Sequence, residues 1–215
     1  IDPRRVAHVK TPEASPGDGR IFGSTDGTNW SLITSFSGRK YGGDASNENA
    51  TAEIVTTQTD TCYNYYRLQV TKRAGQSGTD KYVAIGELKL YGHRENDLVR
   101  LPDPTNVMKY PHVIFPNDDG PAGQGANGTP SIRGYVATTD DANNVYPIGK
   151  AFDGIFSDPA GGNANNQARW QPATHIYANN GTDTTSGATT TLANGTTYKG
   201  NYMQLESPHK LKVTN

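Results

Sequence analysis

Apolar residues in this chain come in runs of a few positions, alternating or continuous, and each run is closed by Gly, Pro, Asn or Asp. A helix of ordinary length needs apolar positions recurring every three and four residues over ten or more, and almost no window here supplies that. Short runs between turn formers are the pattern of strands and turns, so the chain is predicted to be all-β. "RIFGS" (20–24) followed by "DGTNWSLITSF" (26–36) is predicted as a hairpin, because Asp26-Gly27 supplies the positive φ that a tight turn requires. "TAEIVTT" (51–57), "YYRLQVTKR" (65–73), "YVAIGELKLYG" (82–92), "IRGYVATT" (132–139) and "GNYMQLESPHKLKVTN" (200–215) are further candidate strands. In the 82–92 run the alternation breaks at Gly86-Glu87, which predicts a bulge that re-aims Glu87.

With 33% apolar residues, 24 Gly and 13 Pro among 215 residues, the chain is long enough for a real core but spends much of itself on loops. A mean hydropathy of −0.72 agrees with a thin β core under large loops. Residues 93–131 are dense in Pro, Gly, Asp and Asn and are predicted to form an ordered linker or an extended arm, in which Val113-Ile114-Phe115 is a candidate for one more strand. Between the strands of 132–215 lies a loop-rich middle. There, residues 179–197 have only Leu192 as a sizeable apolar anchor, which predicts a mobile or glycan-bearing loop.

Lys and Arg number 20 against 21 Asp and Glu, so no basic field exists to collect nucleic acid or an anionic membrane. No apolar run approaches the ~20 residues of a membrane helix, so membrane insertion is not expected. Ile1-Asp2-Pro3 reads as the middle of a longer polypeptide. Cys62 is the single cysteine, which by itself favours a reducing compartment. Against that stand five N-x-[ST] sequons, at Asn29, Asn49, Asn127, Asn180 and Asn194. Asn49, Asn127, Asn180 and Asn194 are the candidate glycan carriers; Asn29 is the weakest, because Trp30 fills the middle position and is expected to pack inward.

The histidines at 8, 93, 112, 175 and 209 are scattered, with no pair at metal-ligand spacing. No nucleophile elbow, phosphate-binding loop or C-x-x-C occurs, and the many Asp and Ser residues are explained as turn formers. The chain is therefore expected not to be an enzyme. Trp30 and Trp170 suit either sugar stacking or the core, with the core the expected role. Tyr63, Tyr65 and Tyr66 are expected to alternate between core and surface.

Several of these stretches resemble one family. "GRIFGSTDGTNWSLI" resembles the hairpin in the second half of discoidin, or coagulation factor 5/8 type C, domains, and "YYRLQVTKRAG" with "YVAIGELKLYG" resembles their closing strands. "KAFDG", "ARW" and "GNYMQLESPHKLKV" are similar to the first half of the same domains. The order is inverted: residues 1–92 resemble the C-terminal half, residues 132–215 the N-terminal half, and the linker 93–131 has no counterpart. A looser likeness, on "DPTNVMKYPHV" before "RGYV", is to tandem-repeat surface glycoproteins of large algal viruses.

The resemblance implies a discoidin-like jelly-roll β-sandwich, either closed from both halves of one chain or completed by a neighbouring copy. It also implies a structural calcium (Ca2+) site at Asp153 and Glu87, with Asp158 and Ser157 as further ligands. That reading stands beside the simpler one, in which Asp153 caps a turn and Glu87 is solvated. Calcium takes six to eight hard oxygens, which loop carbonyls and one or two carboxylates supply. The functional expectation is a non-enzymatic fibre or adhesin repeat, extracellular or on a virion surface. Its partners would be neighbouring copies, head to tail, and surface glycans. The alternative is a carbohydrate-binding module cut from a secreted glycoside hydrolase or sialidase.

Overall fold

The computed structural model describes residues 16–38, 61–74, 83–95, 108–112, 114–115, 131–142, 146–153, 170–174, 177 and 187–213. The candidate strand at 51–57 lies outside these residues, as do Ile1 and Asn215. The all-β expectation holds. The described residues form nine strands: β1 (Pro16–Ser24), β2 (Ser31–Phe36), β3 (Tyr63–Arg73), β4 (Leu90–Arg94), β5 (Met108–Tyr110), β6 (Ser131–Ile132), β7 (Tyr135–Thr139), β8 (Ala188–Thr191) and β9 (Thr197–Val213). One 3₁₀ turn, Ile148–Ala151, is the only helical element among them. No helix among the described residues is long and apolar enough to cross a membrane.

The strands run antiparallel in the order β2-β1-β3-β9-β4-β5, with β7 and β8 also on β9 and β6 on β7. β9 is the organising strand. It pairs β8 through Thr197–Gly200, β3 through Asn201–Glu206, β7 through Met203–Glu206 and β4 through Leu211–Val213. Strands from both ends of the sequence thus share one sheet within one chain.

The registers assign two faces. Ile21 stands opposite Leu68, which stands opposite Met203, while Tyr66 stands opposite Leu205, itself opposite Ala137. All six are at most 2% exposed and belong to one core, which also takes in Val83, Ile85, Leu88, Phe152 and Trp170. Burying a large apolar side chain is worth about 1.5–3 kcal/mol, so this face supplies the main cohesion of the sheet. Trp170, at 0% exposed, is anchored by paired backbone bonds with Ile85 (3.0 and 2.8 Å) and takes the core role expected of it.

Four expectations need correction. Within 93–131 the further strand falls at Met108–Tyr110 (β5), while Ile114 and Phe115 are not in a strand. The run 82–92 is a strand only at its end: among its described residues, 83–89 are held by packing and by the Ile85–Trp170 bridge, and the ladder starts at Leu90. The run 132–139 is a hairpin, not one strand. Arg133 and Gly134 both take positive φ (50° and 83°), which turns the chain between β6 and β7. Finally, residues 188–191, within the expected loop, form β8, and Thr190 is 0% exposed; residues 178–186 lie outside the described residues.

Candidate functional site

What orders β8 is polar, on the sheet face opposite the core. Phe22 stands opposite Arg67, which stands opposite Gln204. The Arg67 guanidinium lies between two rings, 4.0 Å from the centroid of Trp30 and 3.9 Å from that of Tyr202. It donates to Gln204 Oε1 from Nε (3.1 Å) and Nη2 (2.8 Å), and to Thr190 Oγ1 from Nη1 (2.9 Å). Gln69 Nε2 adds bonds to the carbonyls of Ala188 (3.0 Å) and Gly200 (3.2 Å). Trp30, 3% exposed, takes an inward place here and bridges to Leu192 through its backbone. A planar cation thus holds β8, whose own residues are small and offer the sheet no apolar anchor.

The turn before Trp30 is self-contained. Asp26 Oδ1 accepts from the backbone N–H of Thr28 and Asn29 (both 2.8 Å), and Oδ2 accepts from Asn29 Nδ2 (2.7 Å). The bonds from Asn29, side chain first, then from Thr28 and Ser24, hold the Asp26 carboxyl well below the usual carboxylate range.

An open polar cleft forms where β9 leaves the ladder. Tyr63 pairs Leu211 and Tyr65 pairs Glu206, so two steps along β3 span five along β9, and residues 207–210 bulge outward. A bulge re-aims the side chains it carries. Asn64, between the two register points, donates from Nδ2 to the Ser207 carbonyl at 3.2 Å. The His209 N–H bonds Ser207 Oγ (3.3 Å), and the Glu95 N–H bonds the Lys210 carbonyl (2.8 Å). Asn64, Arg94, Glu95, Pro208, His209 and Lys210 line a cleft of about 410 Å³. Lys210 Nζ lies 3.6 Å from Glu95 Oε1, with both side chains about half exposed. Burial, then Glu95, pushes the Cys62 thiol up, which disfavours a nucleophilic thiolate.

The cleft was not among the expected sites. Its one sequence signal is Pro208, since a proline inside a strand marks an edge or a bulge. Of the expected calcium ligands, Glu87 and Asp153 are each 4% exposed, so neither is solvated. Their segments lie side by side, because the Leu88 N–H donates to the Ala151 carbonyl at 2.8 Å. Two buried carboxylates on adjoining segments are a donor type that fits a hard cation. Asp158 and Ser157 lie outside the described residues, and among the described residues no group of three or more His, Cys, Asp or Glu converges for a metal ion. Asn194 stands exposed at the tip of the β8–β9 hairpin, its Oδ1 accepting from the Thr196 N–H at 3.0 Å. Asn49, Asn127 and Asn180 lie outside the described residues.

No protein-family model matches this chain, and no curated protein or solved structure matches it either.

Proposed function

We propose that this chain is a non-enzymatic module of an extracellular or virion-surface fibre or adhesin, discoidin-like in its sandwich, and that it binds glycan in the cleft at the β9 bulge. The cleft's lining carries the reading. Arg94, His209 and Lys210 offer N–H donors and Glu95 a carboxylate acceptor around one open space. Sugar hydroxyls both donate and accept, so a mixed set of this kind is suited to them, and charged partners give the stronger bonds. Head-to-tail association of copies belongs to the same proposal, as contact between chains whose two halves already share one sheet.

The test is a glycan panel on the intact chain, followed by titration calorimetry of the hits. Binding that Arg94→Ala weakens about tenfold or more, the loss expected when one charge-assisted hydrogen bond goes, and that His209→Ala weakens by less, is the expected result. Absence of any glycan binding, or turnover of a glycoside that depends on a single carboxylate, would overturn it. A structural Ca2+ held by Asp153 and Glu87 is a further part of the proposal, supported by their burial on adjoining segments. Calcium should raise the melting temperature of the wild type and not that of Asp153→Asn; an equal response in both chains removes the cation from that position.

A further inference from the structure

Just past β7 stand two adjacent carboxylates, Asp140 and Asp141, each turned to a different neighbour. Asp140 Oδ1 accepts from the Tyr202 N–H at 2.7 Å and Oδ2 from Asn201 Nδ2 at 3.0 Å. Asp141 Oδ2 accepts from the Thr174 N–H at 2.5 Å. The end of β7, β9 and the segment 170–174 therefore meet at one corner. Asn201 marks that corner as a ligand site. It is 1% exposed, and its Oδ1 has no hydrogen-bond partner among the described residues. This oxygen sits on the same planar amide as the nitrogen that touches Asp140, so an acceptor without a donor is buried beside a carboxylate. Buried acceptors in folded proteins are nearly always met, and one that no protein group meets calls for an ion or a water. Gln171, 6% exposed, leaves a second such oxygen, Oε1, on the segment that Thr174 ties to Asp141.

The corner is rich in oxygen and short of positive charge. Arg67 attracts Asp140 only from a distance, because its N–H groups are directed to Gln204 and Thr190. Burial accordingly pushes the Asp140 carboxyl up, in spite of the bonds it accepts. A hard cation supplies both things at once, a charge for the carboxylate and a partner for the amide oxygen. We propose that the Asp140 carboxylate and Asn201 Oδ1 bind calcium at this corner, in a position that shares no residue with the Asp153–Glu87 pair. Calcium takes carboxylate and amide oxygens and completes its sphere with water, and a site with so few charged ligands falls in the weak class, with a Kd of about 10⁻⁴–10⁻³ M. Asp140 is only partly buried, which leaves the ion and its waters a way in. At calcium well below that range the corner binds little, so a melting comparison with Asp153→Asn made there reads the other position alone.

The experiment titrates the intact chain with calcium and follows the backbone amides of Tyr202 and Thr174, which are bonded to the two carboxylates. Terbium emission sensitised by tyrosine, displaced by calcium, gives a second reading, since Tyr202 adjoins Asn201. The Tyr202 amide should shift with a Kd of about 10⁻⁴–10⁻³ M. Asp140→Asn should weaken binding about tenfold or more, and Asn201→Ala about threefold or more. Asp153→Asn should leave the Tyr202 shift unchanged. A shift that survives Asp140→Asn at full strength, or one that disappears in Asp153→Asn, overturns the assignment. Should a variant fail to fold, the wild type decides alone: no movement of the Tyr202 amide up to about 10 mM calcium leaves the corner to water and refutes the site. None of these results touches the glycan reading, which concerns other residues.

Discussion

Replacing Arg67 tests whether a stacked cation, and not apolar burial, holds the β8–β9 hairpin onto the sheet. The side chain is 8% exposed and burial pulls its guanidinium below the usual value, so its charge is retained at a cost. Two ring contacts at buried sites are worth about 1 kcal/mol each, and charged hydrogen bonds to Gln204 and Thr190 about 1.5 kcal/mol each. Against these stands the desolvation of a cation for which Asp140 is only a remote attraction. Arg67→Ala should therefore cost about 3–5 kcal/mol and lower the melting temperature by roughly 8–15 °C for a chain of this size. Arg67→Lys keeps the desolvation cost but loses the fork and the flat stacking surface, and should cost about 2–3 kcal/mol. Arg67→Met keeps volume without charge and should cost less, about 1–2 kcal/mol, mostly from the stranded Gln204 and Thr190 groups. Urea denaturation of the three variants gives the order directly. If lysine were the mildest change, charge and not planarity would be the operative property; if alanine cost under about 1 kcal/mol, the clamp would not hold the hairpin at all.

Gly200→Ala should cost about 3 kcal/mol, since a Cβ there would lie 2.0 Å from the Val70 carbonyl oxygen on the neighbouring strand. Gly195→Ala, which meets open space and only a φ of +84°, should cost about 1 kcal/mol, and equal losses in chemical denaturation would refute the steric account. Because the folded Asp26 carboxyl is held below its unfolded value, its contribution is present above about pH 4 and is lost as pH falls beneath it. The stability gap between wild type and Asp26→Asn should accordingly shrink on acidification, and a gap unchanged from pH 7 to pH 2 in urea titrations would contradict this. Made in a eukaryotic secretory host, the chain should carry a glycan at Asn194, on the exposed hairpin tip, removed by Asn194→Gln with no loss of stability. Peptide mapping by mass spectrometry decides it.

The first hairpin was legible because its strands alternate and Asp26-Gly27 marks the turn, and β3 and β9 because their apolar residues fall on one side. β8 was not. Ala188–Thr191 are small residues, and their order depends on Arg67, which is more than a hundred positions away in sequence. The stretch 83–89 looked like strand because packing into a core selects the same apolar residues as pairing does. The cleft was least legible of all, because Asn64, Arg94 and His209 meet only through a register shift between two strands, and registers are set by the whole sheet. Pro208 marked the position of the irregularity but not the residues it would gather.

The place of β9 also bears on how the chain is made. β3, β4, β7 and β8 all pair with a strand that follows them in the chain, so each leaves the ribosome with an open edge. Until residues 197–213 emerge, the nascent protein can hold the β2-β1-β3 ladder and the separate pairs β4–β5 and β6–β7, but nothing joins them, and its apolar face has no Met203 or Leu205 to close it. Long-range pairing of this kind is slow and leaves strand edges exposed to other chains. A translation pause or truncation ahead of Thr197 should yield an aggregating chain and not a smaller folded one, which makes synthesis of β9 the committing step for this sheet.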